Sequence, residues 1–172
     1  MTLRRFVYFT IAFLSMETLF TGAQQVSTSP PVPSQITSGQ KIFISNAPWD
    51  HYCHVYKGGQ DRGYNSFYTS LQQWHHYQIV TSPSAADLIF EISCKAVSSE
   101  YSINGETGTS YRPLLLLRIL DPKTNVVLWS LTTDIHPGVL AKSRDKEFDK
   151  AVATVIEQVK QLSDAQHKGS GG

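Results

Sequence analysis

The chain has 172 residues, which is enough for one domain with a hydrophobic core and too few for two of ordinary size. Its 15 basic and 14 acidic side chains leave a net charge of +1, which argues against nucleic acid as a partner, because proteins that bind it usually carry a basic face. Hydrophobic residues make up 41% of the chain and exclude wholesale disorder. Two cysteines are too few for a disulfide-dense miniprotein or a four-cysteine zinc site.

Residues 1–23 have the three-part layout of a secretory signal peptide. Arg4 and Arg5 form a basic start, residues 6–16 form an apolar run, and Thr21–Ala23 supplies small residues for cleavage. The apolar run is shorter than the ~20 residues that span a bilayer. We therefore expect a periplasmic or secreted protein without stable membrane insertion after cleavage. An uncleaved anchor is the alternative.

Three further segments follow the predicted signal peptide. Residues 24–40 are rich in proline and serine and have no apolar periodicity, which predicts a flexible linker. Residues 41–162 contain the periodic apolar patterns of a globular domain. We expect residues 163–172, which contain three glycines, to be a flexible tail.

The first half of the domain predicts three strands and one helix. Lys41–Ser45 is a short β-rich run that ends before Pro48. Apolar residues recur on one helical face across Tyr64–Trp74, which predicts a helix. Tyr77–Val80 and Ala86–Cys94 follow as strands, and the second of them alternates apolar and polar residues. Residues 95–111 are predicted to be a polar loop.

The second half of the domain predicts a hairpin and a closing helix. Residues 114–120 and 126–135 are strand-like runs, and Pro122 and Asn125 in the connection suit a type I turn followed by a bulge. The last helix carries an apolar stripe and is predicted to begin at Asp145 as its N-cap. The stripe consists of Phe148, Val152, Val155, Ile156, Val159 and Leu162.

The order of these elements predicts an α+β fold. The sequence runs strand, helix, four strands and helix, or β-α-β-β-β-β-α. One mixed sheet of about five strands with both helices on one face would bury every apolar stripe. We therefore expect a two-layer sandwich.

Two short phrases in this pattern resemble a known group of domains. Ser84, Ala86 and Asp87 open a strand, and the hairpin carries Asp121, Thr124, Val127, Leu128 and Trp129. The chain resembles small envelope domains of Gram-negative bacteria, namely the amino-terminal domain of the Tol-Pal component TolB, the curli-secretion lipoprotein domain and related periplasmic families of unknown function. Asn125 stands where that hairpin usually has glycine. We carry over neither the lipid anchor, because no cysteine lies near the cleavage site, nor the full TolB role, because no propeller follows.

The resemblance has consequences for partners and for the two cysteines. It implies a periplasmic, non-catalytic interaction domain whose partner is another envelope protein or a cell-wall component. It also implies that the first and third strands are parallel neighbours, which would place Cys53 and Cys94 at the same end of the sheet. In an oxidising compartment such a pair forms a disulfide. The alternative is two unpaired thiols.

The loop after the first strand holds the candidate binding residues. Trp49, His51, Tyr52, His54 and Tyr56 crowd together there, and such aromatics either stack on a sugar or peptide or cover the core. Cys53 lies between Tyr52 and His54. The side chains of His51, Cys53 and His54 are of types that bind metal ions. They are too close in sequence to converge easily, and we expect neither a metal nor a cofactor.

These observations favour an exported, non-catalytic interaction or scaffold domain of the bacterial cell envelope over an enzyme. The chain contains none of the common nucleophile, phosphate-loop or zinc-protease motifs. The alternative is an exported small-ligand-binding protein or metal-assisted enzyme that uses loop 49–64. That alternative requires the loop to meet a distant acid such as Glu91 or Asp134.

Overall fold

The computed structural model of the chain describes residues 30–59, 61–136, 138 and 140–164. The predicted signal peptide and most of the predicted tail lie outside the described residues. The helices are α1 (Ser34–Ser38), α2 (Asp61–Trp74) and α3 (Ala141–Ser163). The strands are β1 (Lys41–Asn46), β2 (Gln78–Ile79), β3 (Leu88–Ile103), β4 (Glu106–Leu120) and β5 (Val127–Asp134). Short 3-10 turns occupy His51–Cys53 and Pro83–Ala85.

The five strands form one mixed sheet in the order β2-β1-β3-β4-β5. β1 is parallel to both β2 and β3, whereas β4 is antiparallel to β3 and β5. The predicted α+β class and sheet are therefore confirmed. The parallel pairing needs crossovers, and α2 with its flanking loops supplies the one between β1 and β2.

The core lies between the sheet and the helices. α2 contributes Phe67 and Leu71, and α3 contributes the predicted stripe, whose central residue Val155 is fully buried. Alternate residues of the strands face α2 and α3, because successive side chains in a strand point to opposite faces of the sheet. The facing strand residues include Ile42, Ile44, Phe90, Ile92, Leu115, Leu117 and Ile119. None of the described helices is long and apolar enough to cross a membrane.

The packed chain begins earlier than the sequence predicts. α1 lies within the stretch predicted to be linker, and its Ile36 is only 1% exposed. Val32 is half-buried against the same core. Two apolar residues among prolines and serines give no periodic signal, so the pattern of residues 24–40 could not reveal this contact.

β3 and β4 extend beyond the core as a two-stranded arm, which the sequence analysis wrongly assigned to a polar loop. The strands pair continuously from Lys95 opposite Leu114 to Ile103 opposite Glu106. Asn104 and Gly105 make the turn with φ of 54° and 85°, the left-handed values that a tight hairpin of this kind needs. Most of the arm is exposed, so it lacks the apolar alternation by which a half-buried strand is recognised.

A glycine and a tyrosine stabilise the middle of this arm. Gly108 lies directly opposite Tyr101 in the register. A Cβ atom at position 108 would come within 2.6 Å of the Tyr101 ring, so the ring lies across the bare glycine backbone. Cross-strand contacts of this kind stabilise a hairpin that has no helix packed on it.

The hairpin between β4 and β5 has the predicted turn. Asn125 has φ of 56°, and the Lys123 backbone N–H donates to Asp121 Oδ1 at 2.9 Å. The register also shifts between Ile119 and Leu120, so the hairpin contains a bulge, but this bulge lies in the strands and not at the turn where it is predicted. Here local chemistry decides local structure, because aspartate, proline and asparagine each satisfy one backbone requirement of the turn.

The predicted N-cap of the last helix is wrong. α3 begins at Ala141 after Leu140, whose backbone N–H donates to Ser143 Oγ at 3.1 Å. Asp145 lies inside the first turns and binds the loop before α2 instead. The Asp145 carboxylate therefore binds Lys57 and Arg62, which lie outside the helix, and does not cap α3 as the sequence pattern predicts.

We expect Val155→Asp to destabilise the domain by about 3 kcal/mol, because it places an unpaired charge between α3 and the sheet. Chemical denaturation monitored by circular dichroism measures the loss. Ala153→Asp, which adds the same charge on the exposed side of α3, is the matched control and should cost far less. Equal stability of the two variants would mean that the stripe does not pack as described.

Candidate functional site

A disulfide fixes the loop that carries the candidate binding residues. Cys53 and Cys94 are bonded, their Cα atoms are 6.0 Å apart and both side chains are fully buried. The predicted pairing is therefore confirmed. Because β1 and β3 are parallel neighbours, the loop leaving the carboxyl end of β1 passes beside the continuing β3 strand.

Asp50 attaches the same loop to β3 by hydrogen bonds. Its backbone N–H donates to the Cys94 carbonyl at 3.0 Å, and its Oδ2 accepts the Ala96 backbone N–H at 2.8 Å. The Ala96 hydrogen bond, with a smaller contribution from the Lys95 charge, lowers the pKa of Asp50. The carboxylate is therefore ionised at neutral pH and holds the loop in its charged form.

Two of the five candidate binding residues belong to the core. Trp49 and Tyr56 are 7% and 4% exposed, and their rings lie 5.7 and 4.9 Å from that of Phe148. Gly63 makes room for Trp49, since a Cβ atom there would lie 2.3 Å from the indole ring. Burial raises the pKa of Tyr56 to about 12. These two aromatics cover the core, which was one of the two roles that the sequence left open.

The far end of the loop is attached to α3. Asp145 Oδ1 accepts the Lys57 backbone N–H at 2.9 Å and Arg62 Nη1 at 2.7 Å. Arg62 also donates to Asp149 Oδ1 at 2.7 Å. The Lys57 hydrogen bond, followed by the charge of Arg62, lowers the pKa of Asp145. The loop is thus held at both ends, by β3 and by α3.

The other three candidate residues lie on the surface and join two more in what we call the tyrosine patch. Its members are His51, Tyr52, His54, Val55 and Tyr111. The rings of Tyr52 and Tyr111 stack with centroids 3.9 Å apart and planes at 14°. Each tyrosine is nearly half exposed, at 45% and 46%, and Val55 is 53% exposed. The patch therefore joins the loop to the base of the β3–β4 arm.

The chemistry of the patch is that of a binding surface. A hydrogen bond with the Tyr111 hydroxyl raises the pKa of Tyr52 above its ordinary value. A phenol is in any case neutral at neutral pH and can donate a hydrogen bond there. The His51 ring lies 5.8 Å from that of Tyr52 and 6.0 Å from that of His54. Stacked phenols and exposed imidazoles present aromatic faces together with polar edges, a combination that suits peptide or sugar contacts.

The groups that a metal-assisted or nucleophilic site would need do not converge. The Cys53 sulfur is bonded to Cys94, and across the described ranges no three His, Cys, Asp or Glu side chains come close enough to share a metal ion. Of the two distant acids, Glu91 pairs with Arg118, and Asp134 lies 3.2 Å from Arg112. Both acids therefore have partners away from the loop.

Sequence reasoning missed Tyr111 and Val55. The sequence pattern predicts Tyr111 at the end of a polar loop, although the Asn104–Gly105 pair is a known signal for a tight hairpin. With that hairpin assigned, the register would have placed Tyr111 opposite Ser98, a few residues beyond Cys94 on β3. Val55 carries no comparable signal, because a lone exposed valine is ordinary in a loop.

Comparison with known proteins connects this fold to others. No family model and no curated protein sequence matches the chain. Among solved structures it is similar to protein XCC0632 from Xanthomonas campestris, described as DUF330, with a TM-score of 0.50, 14% identity and coverage of 77% of this chain and 89% of that one. This likeness shows the fold and not the activity.

Two further solved structures have lower scores. A minor lipoprotein from Acinetobacter baumannii has a TM-score of 0.44 and 10% identity over 74% of this chain and 94% of that one. The uncharacterized lipoprotein B from Nitrosomonas europaea has a TM-score of 0.38 and 16% identity over 82% and 94%.

We expect the double variant Cys53→Ala, Cys94→Ala to lose about 4 kcal/mol of unfolding free energy, because the bond closes a segment with a sequence separation of 41. Denaturant titration of the variant against the oxidised protein measures the difference. The unaltered protein under a thiol reductant is the control and should lose a similar amount. An unchanged midpoint in both would contradict a stabilising role for the bond.

Proposed function

We propose that the chain is an exported, non-catalytic interaction domain of the bacterial cell envelope, and that it binds its partner through the tyrosine patch. The observation that carries this proposal is the exposed, stacked pair of Tyr52, on a loop that is anchored at both ends, and Tyr111, on β4. The partner class that suits the patch is another envelope protein or a cell-wall component.

The rigidity of the patch supports a binding role. Ordering flexible side chains and loops on association costs affinity, and a surface that is already held avoids part of that cost. The disulfide and the Asp50 hydrogen bonds hold one end of the loop, and the Asp145 contacts hold the other. Tyrosine is also among the residues that most often dominate binding energy at interfaces.

The disulfide and the first 23 residues support export. Disulfides form and persist in oxidising compartments and are rare in the cytosol. The sequence starts with a basic, an apolar and a small-residue segment, in the order of a secretory signal. Likeness to the TolB amino-terminal domain in particular is part of this proposal and rests on the short phrases around Asp87 and Asp121.

The non-catalytic role is preferred to an enzyme on loop 49–64. The thiol that lies in sequence between the two histidines of the patch cannot act as a nucleophile, because Cys53 is bonded to Cys94. The acidic candidates Glu91 and Asp134 are paired elsewhere. A catalytic role would need an acid or base within hydrogen-bonding reach of a common point, or a partner chain to supply it.

A photo-crosslinkable amino acid at Val55 tests the patch in intact cells. We expect adducts of defined mass, and we expect Tyr52→Ala to reduce them by about fivefold or more, because an interface tyrosine of this kind contributes more than about 1 kcal/mol. The same probe at Lys123, in the turn at the opposite end of the sheet, is the matched control. Adducts that are equal at both positions, or that persist in Tyr52→Ala, would refute the patch as the binding surface.

Export is tested separately by expressing the full chain in a Gram-negative host. We expect the protein in the periplasmic fraction, with a mature amino terminus near Gln24 and an oxidised Cys53–Cys94 pair. Mass spectrometry with and without thiol alkylation measures both features. A retained Met1, or membrane association that survives a carbonate wash, would show that the first segment is an anchor instead.

A further inference from the structure

The two edges of the sheet differ in how they are protected. β2, at one edge, pairs only at Gln78 and Ile79, and Pro83 follows shortly after it. Very short edge strands and nearby prolines are the usual means by which proteins prevent a sheet from adding another strand. β5, at the other edge, has eight residues, no proline, no lysine and a single charge at its last residue, Asp134.

The backbone groups that point away from the sheet at β5 can be assigned from its pairing with β4. The Ile135 N–H donates to the Pro113 carbonyl, which fixes the alternation along the strand. Residues 129, 131 and 133 therefore bond to β4, and the N–H and C=O groups of Ser130, Thr132 and Asp134 point outward. Throughout the described residues, β5 pairs only with β4. Ser130 and Thr132 are exposed, so this edge is open to water.

We propose that β5 is a self-association edge, at which a second copy of this chain adds its own β5 in antiparallel orientation. One register pairs the three outward-pointing residues with one another. Thr132 meets Thr132 of the copy on the twofold axis, and Ser130 meets Asp134 at each side. Six backbone N–H groups then find acceptors, and the sheet continues across the axis as ten strands.

Side-chain chemistry favours a second copy as the occupant in this register. A threonine pair across antiparallel strands is stabilising, and the Ser130 hydroxyl can donate to the Asp134 carboxylate opposite. On the helix side, Leu131 lies opposite Thr133 of the copy. No like charges face each other, and the β-bulge lies before Trp129, outside the paired segment. The paired segment consists of residues 130–134, none of which belongs to the tyrosine patch.

Thr132→Lys tests the proposal, because the substitution places two ammonium groups opposite each other on the axis. In sedimentation velocity over a dilution series, we expect the unaltered protein to form dimers and the variant to dissociate about tenfold more readily. Thr109→Lys, which adds the same charge to an exposed strand position of the arm, is the matched control and should dimerise normally. A monomer at every concentration, or a dimer that Thr132→Lys leaves intact, would overturn the proposal.

Amide hydrogen exchange gives a second readout that is specific to the register. The N–H groups of residues 131 and 133 are bonded to β4 and should be protected at all concentrations. Those of Ser130, Thr132 and Asp134 should become protected only when the protein is concentrated enough to dimerise. Dimers in which these three amides still exchange freely would place the interface elsewhere and refute the edge. Thr132→Pro, which removes one outward N–H at an edge position that tolerates proline, should weaken the dimer without unfolding the monomer.

Discussion

The parallel pairing of β1 with β3 is the interaction on which the rest of this structure depends. It brings the carboxyl end of β1 beside the middle of β3, so the loop leaving β1 can bond to Cys94 and to the backbone on either side of it. It also leaves β3 central, with β1 on one side and β4 on the other. The same strand therefore organises the core, the loop and the arm.

How much of this fold follows from the sequence depends on whether a segment is half-buried. β1, the core half of β3, α2 and α3 each have one apolar face, and their periodicity reveals them. The β4–β5 turn is specified by its own side chains, and Asn125 adopts the left-handed conformation that its chemistry allows. The arm has water on most of its surface and no such periodicity, so only the Asn104–Gly105 pair indicates it.

Long-range contacts account for the other differences. Asp145 has the right type and position for a cap, but a backbone N–H from the loop before α2 binds it instead. The sequence places Trp49 and Tyr56 in the same loop as Tyr52 and cannot tell which rings face the core. Phe148, which lies far along the chain in α3, decides that question because Trp49 and Tyr56 pack against it. The loop residues of the patch are therefore those whose side chains the core does not bury.

The bond between Cys53 and Cys94 ties the shape of the surface to the chemistry of its surroundings. In a reducing medium the loop lacks this bond, and the contacts left to hold it near β3 are the hydrogen bonds of Asp50 and the Ala47 N–H, which donates to the Ile92 carbonyl. In the oxidised chain, the bond at Cys53 holds the neighbouring Tyr52 where it stacks on Tyr111. The order of the proposed binding surface therefore depends on oxidation, because a chain without the bond has lost one of the attachments that hold Tyr52 in place.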